Sequence, residues 1–386
     1  MATRKVEATD RKELRVGLLG YGFMGKCHSH AFKVIPYIYP EANILPRLSI
    51  ICGRNEEKVR REAGRYGFDE YCTDWQDLVL DKRVCIFDNC GPDPVHPEPC
   101  IAALENGKHV ICEKPLAVSV EGARAMRDAA RKAPSKAMCV FNYRFFPAVR
   151  LARDLIAAGR LGRVYHMRVN YAQMAGHDPS VPPDQVWYSS WPYSGVLQGI
   201  GSHAIDQCRF LVGEVKSVAA KVVTFNKKRT SPDTGAVVDE ATSAILEFEN
   251  GAMGIMVATA LATGRKNVLS WEVNGSAGSL RWSLEYPNSL LACLEDLGDR
   301  SLSGFTEISV TDGEHPYAGA WWPSGHTLGW EHAHIIEKFH FLSAIASGAE
   351  MSPCIATFED GYRVAVIIAA MKESSLSGRR VAIEFE

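Results

Sequence analysis

Along the first 140 residues, short apolar runs alternate with stretches whose apolar positions recur every three or four residues. The runs are RVGLLG (15–20), RLSIICG (47–53), RVCIFDNC (83–90), HVICEK (109–114) and AMCVFNY (137–143). Helical periodicity fills the intervals: from about Phe23 to Lys33, in NEEKVRREAGRYG (55–67), in PEPCIAALENG (97–107) and in SVEGARAMRDAARKA (119–133). Strands alternating with helices of this length predict a parallel sheet covered on both faces. The proline- and aromatic-rich VIPYIYPEANILP (34–46) reads as an insertion between the first helix and the second strand.

From about Tyr143 the pattern changes. A helix over PAVRLARDLIAAGRLG (147–162) leads into RVYHMRVNYAQM (163–174), SVAAKVVTFN (217–226) and TSAILEFENGAMGIMVATAL (242–261). Polar and apolar residues there alternate with period two, which predicts a largely antiparallel sheet with one solvent face. A last helix is predicted from about Thr357 to Ser374. At 386 residues the chain exceeds what one core usually holds. Two domains are expected, 1–140 and 141–386.

Charge narrows the classes of partner. Lys plus Arg is 43 and Asp plus Glu is 45, so no broad basic field exists to hold nucleic acid or an anionic membrane. No apolar stretch approaches the roughly 20 residues that span a bilayer. The first residues, MATRKVEATDRKELR, lack the apolar segment of a secretory signal. Eleven cysteines lie scattered from Cys27 to Cys354 without a C-x-x-C pair. That usage fits reduced, buried thiols and a cytoplasmic location.

GYGFMG places Gly20, Gly22 and Gly25 in a G-x-G-x-x-G turn after a strand and before a helix. In that context the first glycine permits a tight turn, the second lets backbone approach a pyrophosphate, and the third lets helix and strand pack closely. NAD or NADP is therefore the expected cofactor. Phe23 and Met24, inside the motif, are assigned to it as well. NAD-binding units usually end the second strand on an acid that grips the ribose diol. Here CGRNEEK offers Gly53 and then Arg54, and an arginine can hold a 2′-phosphate, which leans the choice towards NADP.

Lys114 leaves the fourth strand within ICEKPLA, at the sheet end where open α/β folds bind ligands. Tyr143 and Arg144, in FNYRF after the fifth strand, are expected to reach the same crevice. SGVLQGIGSHAIDQCRFLVGE (194–214) supplies His203 and Asp206 at the start of a helix. Together with GYGFMGKCHSHAF, PVHPEPCIAALENGKHVICEKPLA, FNYRFFPAVRLARDLI, ATGRKN, EVNGSAGSL and AWWPSGHTLGWEH, these segments resemble the Gfo/Idh/MocA oxidoreductases over almost the whole chain.

The resemblance implies an N-terminal Rossmann dinucleotide-binding domain and a C-terminal α+β domain with a large, mainly antiparallel open sheet. It implies a site between them, sugar or cyclitol substrates, and a homodimer or homotetramer formed through the C-terminal sheet. Carried onto this chain, Lys114 hydrogen-bonds the reacting oxygen and His203 takes its proton. Asp93, His96 and Glu113 fall to the cofactor, as does Lys114 besides its catalytic role; Gln173, Trp187 and His326 fall to the substrate, with Tyr143, Arg144 and Asp206. One departure stands out: the family's acid four residues before the histidine is Gly199 here. Asp206 either replaces that acid in part or serves the start of the helix.

A metal reading of His326, Glu331, His332 and His334 is not adopted, because His332 and His334 are two apart and the segment lacks H-E-x-x-H. The expected activity is hydride exchange between nicotinamide and a secondary alcohol or ketone of a sugar, cyclitol or glycoside. Two alternatives stay open: oxidation followed by elimination on tightly bound cofactor, and a non-catalytic dinucleotide-dependent regulator.

Overall fold

The computed structural model describes residues 11–178, 180–181, 195–226, 238–294 and 303–386. The chain opens with β1 (Lys12–Leu19), α1 (Phe23–Ile38), β2 (Ile44–Cys52), α2 (Glu56–Tyr66), β3 (Glu70–Cys72) and α3 (Trp75–Leu80). It continues with β4 (Ile86–Asn89), α4 (Pro97–Glu105), β5 (His109–Cys112), α5 (Val120–Lys132) and β6 (Ala137–Cys139). The six strands are parallel and ordered β3-β2-β1-β4-β5-β6. The order reverses between β1 and β4, which opens a crevice at their carboxyl ends. β4 is buried along its whole length because helices cover both faces.

Two expectations change. The stretch 34–46 is no insertion: α1 runs through Pro36 to Ile38, and β2 begins at Ile44. Pro36 lies in the last turn, where one lost helical bond matters least. Pro46 is tolerated because β3 pairs with β2 only at residues 50–52, leaving β2 an edge at Pro46. The short β3 and α3 bring the sheet to six strands instead of the five apparent in the sequence.

Beyond β6 come α6 (Pro147–Ala157), β7 (Val164–Ala172), a π-helical turn at Leu197–Gly201 running into α7 (Ser202–Leu211), and β8 (Val215–Val223). The hairpin of β9 (Ala241–Phe248) and β10 (Met253–Thr259) follows, then β11 (Val268–Gly275), β12 (Gly278–Ser283), β13 (Ser289–Leu294) and β14 (Thr306–Ser309). The chain finishes with α8 (Trp330–Ser347), α9 (Phe358–Ser377) and β15 (Val381–Ala382). Among the described residues nine strands form one sheet, ordered β14-β13-β12-β11-β7-β10-β9-β8-β15, antiparallel except where β7 meets β10.

Its period-two pattern buries Ala244, Leu246, Met256 and Ala258 on one face and leaves Ile245, Met253 and Ile255 exposed on the other. The last two helices return to the first sheet's layer: α8 packs on α1, and α9 on α5 and β8. Thr357 caps α9 and shares Asp360 in a capping box.

Candidate active site

The three glycines behave as their spacing predicts. Gly20 has φ +98°, and a Cβ there would meet the Cys90 carbonyl oxygen at 2.5 Å. A Cβ on Gly25 would lie 2.1 Å from the Gly20 carbonyl oxygen, so helix and turn touch through backbone. Gly22, which starts α1 without a side-chain cap, has nothing within 4 Å of its Cβ position. The turn thus leaves open space before free helix N–H groups, the cradle a pyrophosphate needs. At the end of β2, a Cβ on Gly53 would strike the Tyr21 ring at 2.1 Å. A side chain at position 53 would have to displace that ring, and Arg54 is the exposed charged residue next to it.

Beside this turn lies a cleft of about 500 Å³. Phe23 and Met24 from the glycine turn line it, with Asp93 after β4 and Glu113 and Lys114 after β5. The far wall carries Tyr171 and Gln173 from the end of β7, Gly199 and His203 around the π-turn, and Asn267 before β11. Tyr143 follows β6, and Trp330 and His334 descend from α8. Lys114 donates from Nζ to the Gly199 carbonyl oxygen, 3.0 Å away. Gly199, where the resemblance leads one to expect an acid, therefore takes the lysine's hydrogen bond through its backbone. His203 is 6% exposed and its Nδ1 has no partner. Burial, and then the charge of Lys114, push its pKa well below the ordinary histidine value, so it stands neutral and able to accept a proton.

Behind Lys114 a buried polar chain fixes the strand end. One Glu113 oxygen accepts from the Lys114 backbone N–H at 3.1 Å, and the other faces His28 Nε2 at 3.1 Å. His28 Nδ1 lies 2.9 Å from Asp88. Burial alone would lower the His28 pKa; the charge of Asp88 and the bonds to both carboxylates outweigh it and hold it raised. Burial likewise works to raise Glu113, but His28 and the nearby lysines keep its carboxyl below the usual range.

Two groups here bring possible metal-ligating atoms within 4.8 Å of one another: His28, Glu113 and His334, and His28, Asp88 and Cys90. His28 already bonds both carboxylates, and the charge of the buried Lys338 reaches Glu113 and His28, so protein cations answer these anions. The segment 326–334 contributes only His334 to either group. No cysteine lines the cleft among the described residues.

Several expected site residues lie elsewhere. Arg144 points away from Tyr143: its Nε donates to Asp206 at 3.0 Å, both side chains being buried, and it also bonds the half-buried Asp360. Arg144 lines a separate cavity of about 360 Å³ with Arg209 and Asp360. Asp206 is consequently a core counter-ion and does not take the place of the absent acid. His96 is buried, with ring nitrogens 2.9 Å from the Pro115 carbonyl and 3.1 Å from that of Gly91, so it ties loops together behind the cleft. His326 is exposed and turned to the Pro323 carbonyl. Trp187 lies outside the described residues.

Conversely, the cleft holds Asn142, Tyr171, Asn267, Trp330 and His334, which spacing did not single out as site residues. Asn142 adjoins the predicted Tyr143, and Asn267 and Trp330 fall within family-like segments, the signals that could have found them.

Residues 14–141 match the family described as "Oxidoreductase family, NAD-binding Rossmann fold", and residues 149–281 match "GFO/IDH/MocA C-terminal domain". Levoglucosan dehydrogenase of Pseudarthrobacter phenanthrenivorans is 37% identical over 94% of this chain and 96% of its own length. A solved levoglucosan dehydrogenase in complex with NADH and levoglucosan superposes with a TM-score of 0.92 at 36% identity, covering 97% of this chain and 100% of that one. An oxidoreductase domain protein from Kribbella flavida superposes at 0.91 with 39% identity over the same shares. With a glycine cradle, a lysine and a neutral histidine converging on one cleft, the chain belongs to the Gfo/Idh/MocA family of NAD-binding oxidoreductases.

Proposed function

We propose that the protein oxidises a secondary alcohol of a sugar or cyclitol, or reduces the matching ketone, with a nicotinamide dinucleotide. The observation that carries this reading is the meeting of Lys114, from the dinucleotide-binding sheet, with His203, from the other half, in one cleft beside the glycine turn. Gly20, Gly22 and Gly25 would hold the dinucleotide, which supplies the hydride acceptor when bound. Removing hydride from a carbinol carbon leaves one proton on its oxygen to be disposed of. Lys114 donates a hydrogen bond to that oxygen, and neutral His203 accepts the proton; in reduction the roles reverse. The levoglucosan dehydrogenase complexes support an unmodified or anhydro sugar as substrate.

On the finer points, Arg54 and the closed space at Gly53 support NADP, whereas the relatives' complexes contain NADH. The exposed Ile245, Met253 and Ile255 support pairing of two copies through the open sheet face, as a dimer or as half of a tetramer. No described helix is long and apolar enough to cross a membrane, and a cytoplasmic location is proposed from the reduced cysteines.

A panel of sugars, inositols and glycosides with NAD and NADP, followed by absorbance of reduced nicotinamide, tests the activity. Reduced cofactor should form in step with product. Product formed without it would favour oxidation–elimination. Cofactor binding without any turnover would favour a regulator.

A further inference from the structure

The cleft's described lining carries one cation, Lys114, against two carboxyl groups, Asp93 and Glu113. Its histidines, His203 and His334, are held neutral by burial and by neighbouring positive charge. No arginine lines it among the described residues: Arg144 serves another cavity and Arg54 lies at the end of β2. A phosphate or carboxylate entering here would lose its water and meet no guanidinium among the described residues, with Lys114 already committed to the reacting oxygen.

The remaining polar groups are uncharged, and they differ in one respect. Gln173 donates to Asn267 at 2.7 Å, and the Tyr143 and Tyr171 hydroxyls bond each other at 2.8 Å. Asn142, 2% exposed, has no partner for Nδ2. A buried amide N–H left unpaired is costly, so a native site that keeps one has an oxygen to offer it from elsewhere.

The topology says where. Asn142 opens the turn after β6, and Lys114 leaves the adjacent β5, whose Cys112 pairs with Cys139. The two side chains therefore reach the cleft from neighbouring strand ends. We infer that the substrate is an uncharged ring bearing a vicinal diol, with Lys114 on the oxygen that reacts and Asn142 Nδ2 donating to its neighbour. This rests on the dehydrogenase reading above and narrows its substrate class.

The experiment uses the full chain with its preferred cofactor. Glucose, myo-inositol and 1,6-anhydroglucose are compared with glucose 6-phosphate and glucuronate. The best uncharged compound should exceed both anions in kcat/KM by at least roughly 100-fold, the scale at which a missing charge partner tells. Asn142→Ala should lower kcat/KM for that compound roughly 10- to 100-fold. Its affinity for reduced cofactor, read by fluorescence, should stay within about 2-fold, since one unmade bond to substrate leaves cofactor contacts alone. Asn142→Asp keeps the shape, removes the donor, and should lose activity by the same order if the alanine variant fails to fold.

Monodeoxy analogues close the test: one should lose activity on the wild type and lose nothing further on Asn142→Ala. An anion turned over as well as its parent overturns the inference. So does a cofactor affinity that falls in parallel with activity, which would put Asn142 on the nicotinamide. Absence of turnover for every compound, with cofactor bound, removes the dehydrogenase reading and this inference together.

Discussion

Glu337 offers the sharpest check on the physical description, because its environment is extreme and its replacement is nearly isosteric. It lies on α8, is fully buried, and neither carboxylate oxygen has a hydrogen-bond partner; the nearest cation, Lys338 Nζ, is 4.0 Å away. Burial is the largest influence and pushes its pKa up from 4.5 to about 8, against the pull of Lys338 and His28. The folded protein thus keeps a proton that the unfolded chain gives up above pH 4.5. Fewer protons on the unfolded state mean that stability falls as pH rises through this window, and the loss is complete once pH passes about 8.

The slope is about 1.4 kcal/mol per pH unit, so roughly 3 kcal/mol should be lost between about pH 5.5 and 7.5 from this group alone. Glu337→Gln removes the titration. Its amide adds donors that cost a constant amount at every pH, which shifts the curve without tilting it. Urea unfolding by tryptophan fluorescence at three pH values in that window gives the two slopes, and every other titrating group is common to both proteins. The wild type should weaken with pH faster than the variant by about 1.4 kcal/mol per unit. Parallel lines would show that Glu337 is not buried in the manner described.

Lys114→Ala should leave cofactor affinity nearly intact and cut turnover at least roughly 100-fold. The double variant with His203→Ala should lose much less than the product of the single effects, and Lys114→Arg should not rescue. Gly199→Asp places a carboxylate on the cleft wall beside Lys114 and should alter sugar kinetics in a folded protein; unchanged kinetics would place residue 199 outside the cleft. Arg54→Ala should weaken NADP binding by roughly 1.5–3 kcal/mol, as titrated by fluorescence, and leave NAD unchanged. Asp206→Ala, by stripping buried Arg144 of a partner, should cost about 3–5 kcal/mol in urea unfolding while the folded fraction keeps its turnover.

What the sequence disclosed and what it hid divide along physical lines. The glycine turn and Lys114 were legible because backbone geometry at a strand end depends on local residue types. His203 was legible through its small-residue neighbourhood and through family resemblance. Arg144 was misplaced because adjacent residues in a tight turn point opposite ways: Tyr143 enters the cleft and Arg144 the core, where Asp206, whose role the sequence left open, pairs with it. His96 misled because both its partners are carbonyl oxygens, which leave no trace in residue identity. The helix α8 escaped notice because it is buried on nearly every side. Residues 333–338 are buried in succession, so no polar face marks a helical period. His28 and Asp88, which brace Glu113 behind the lysine, lie sixty residues apart, and only the fold relates them.

The return of α8 and α9 to the first sheet has a consequence for synthesis. Tyr39, at the end of α1, stacks on Phe339 with ring centres 3.6 Å apart, and the N–H of Cys139, the last residue of β6, donates to the Ala356 carbonyl. The dinucleotide-binding half therefore lacks part of its cover until α8 and α9 have left the ribosome. About 290 residues separate α1 from α8. At roughly 5–20 residues per second, the nascent chain carries the uncovered face of α1 for about 15 to 60 seconds. During that interval the glycine turn is already made but the half that bears it cannot close. The apolar face of α1 is expected to need other cover until α8 has been made, so the first half should reach its final packing only after α8 and α9 have emerged.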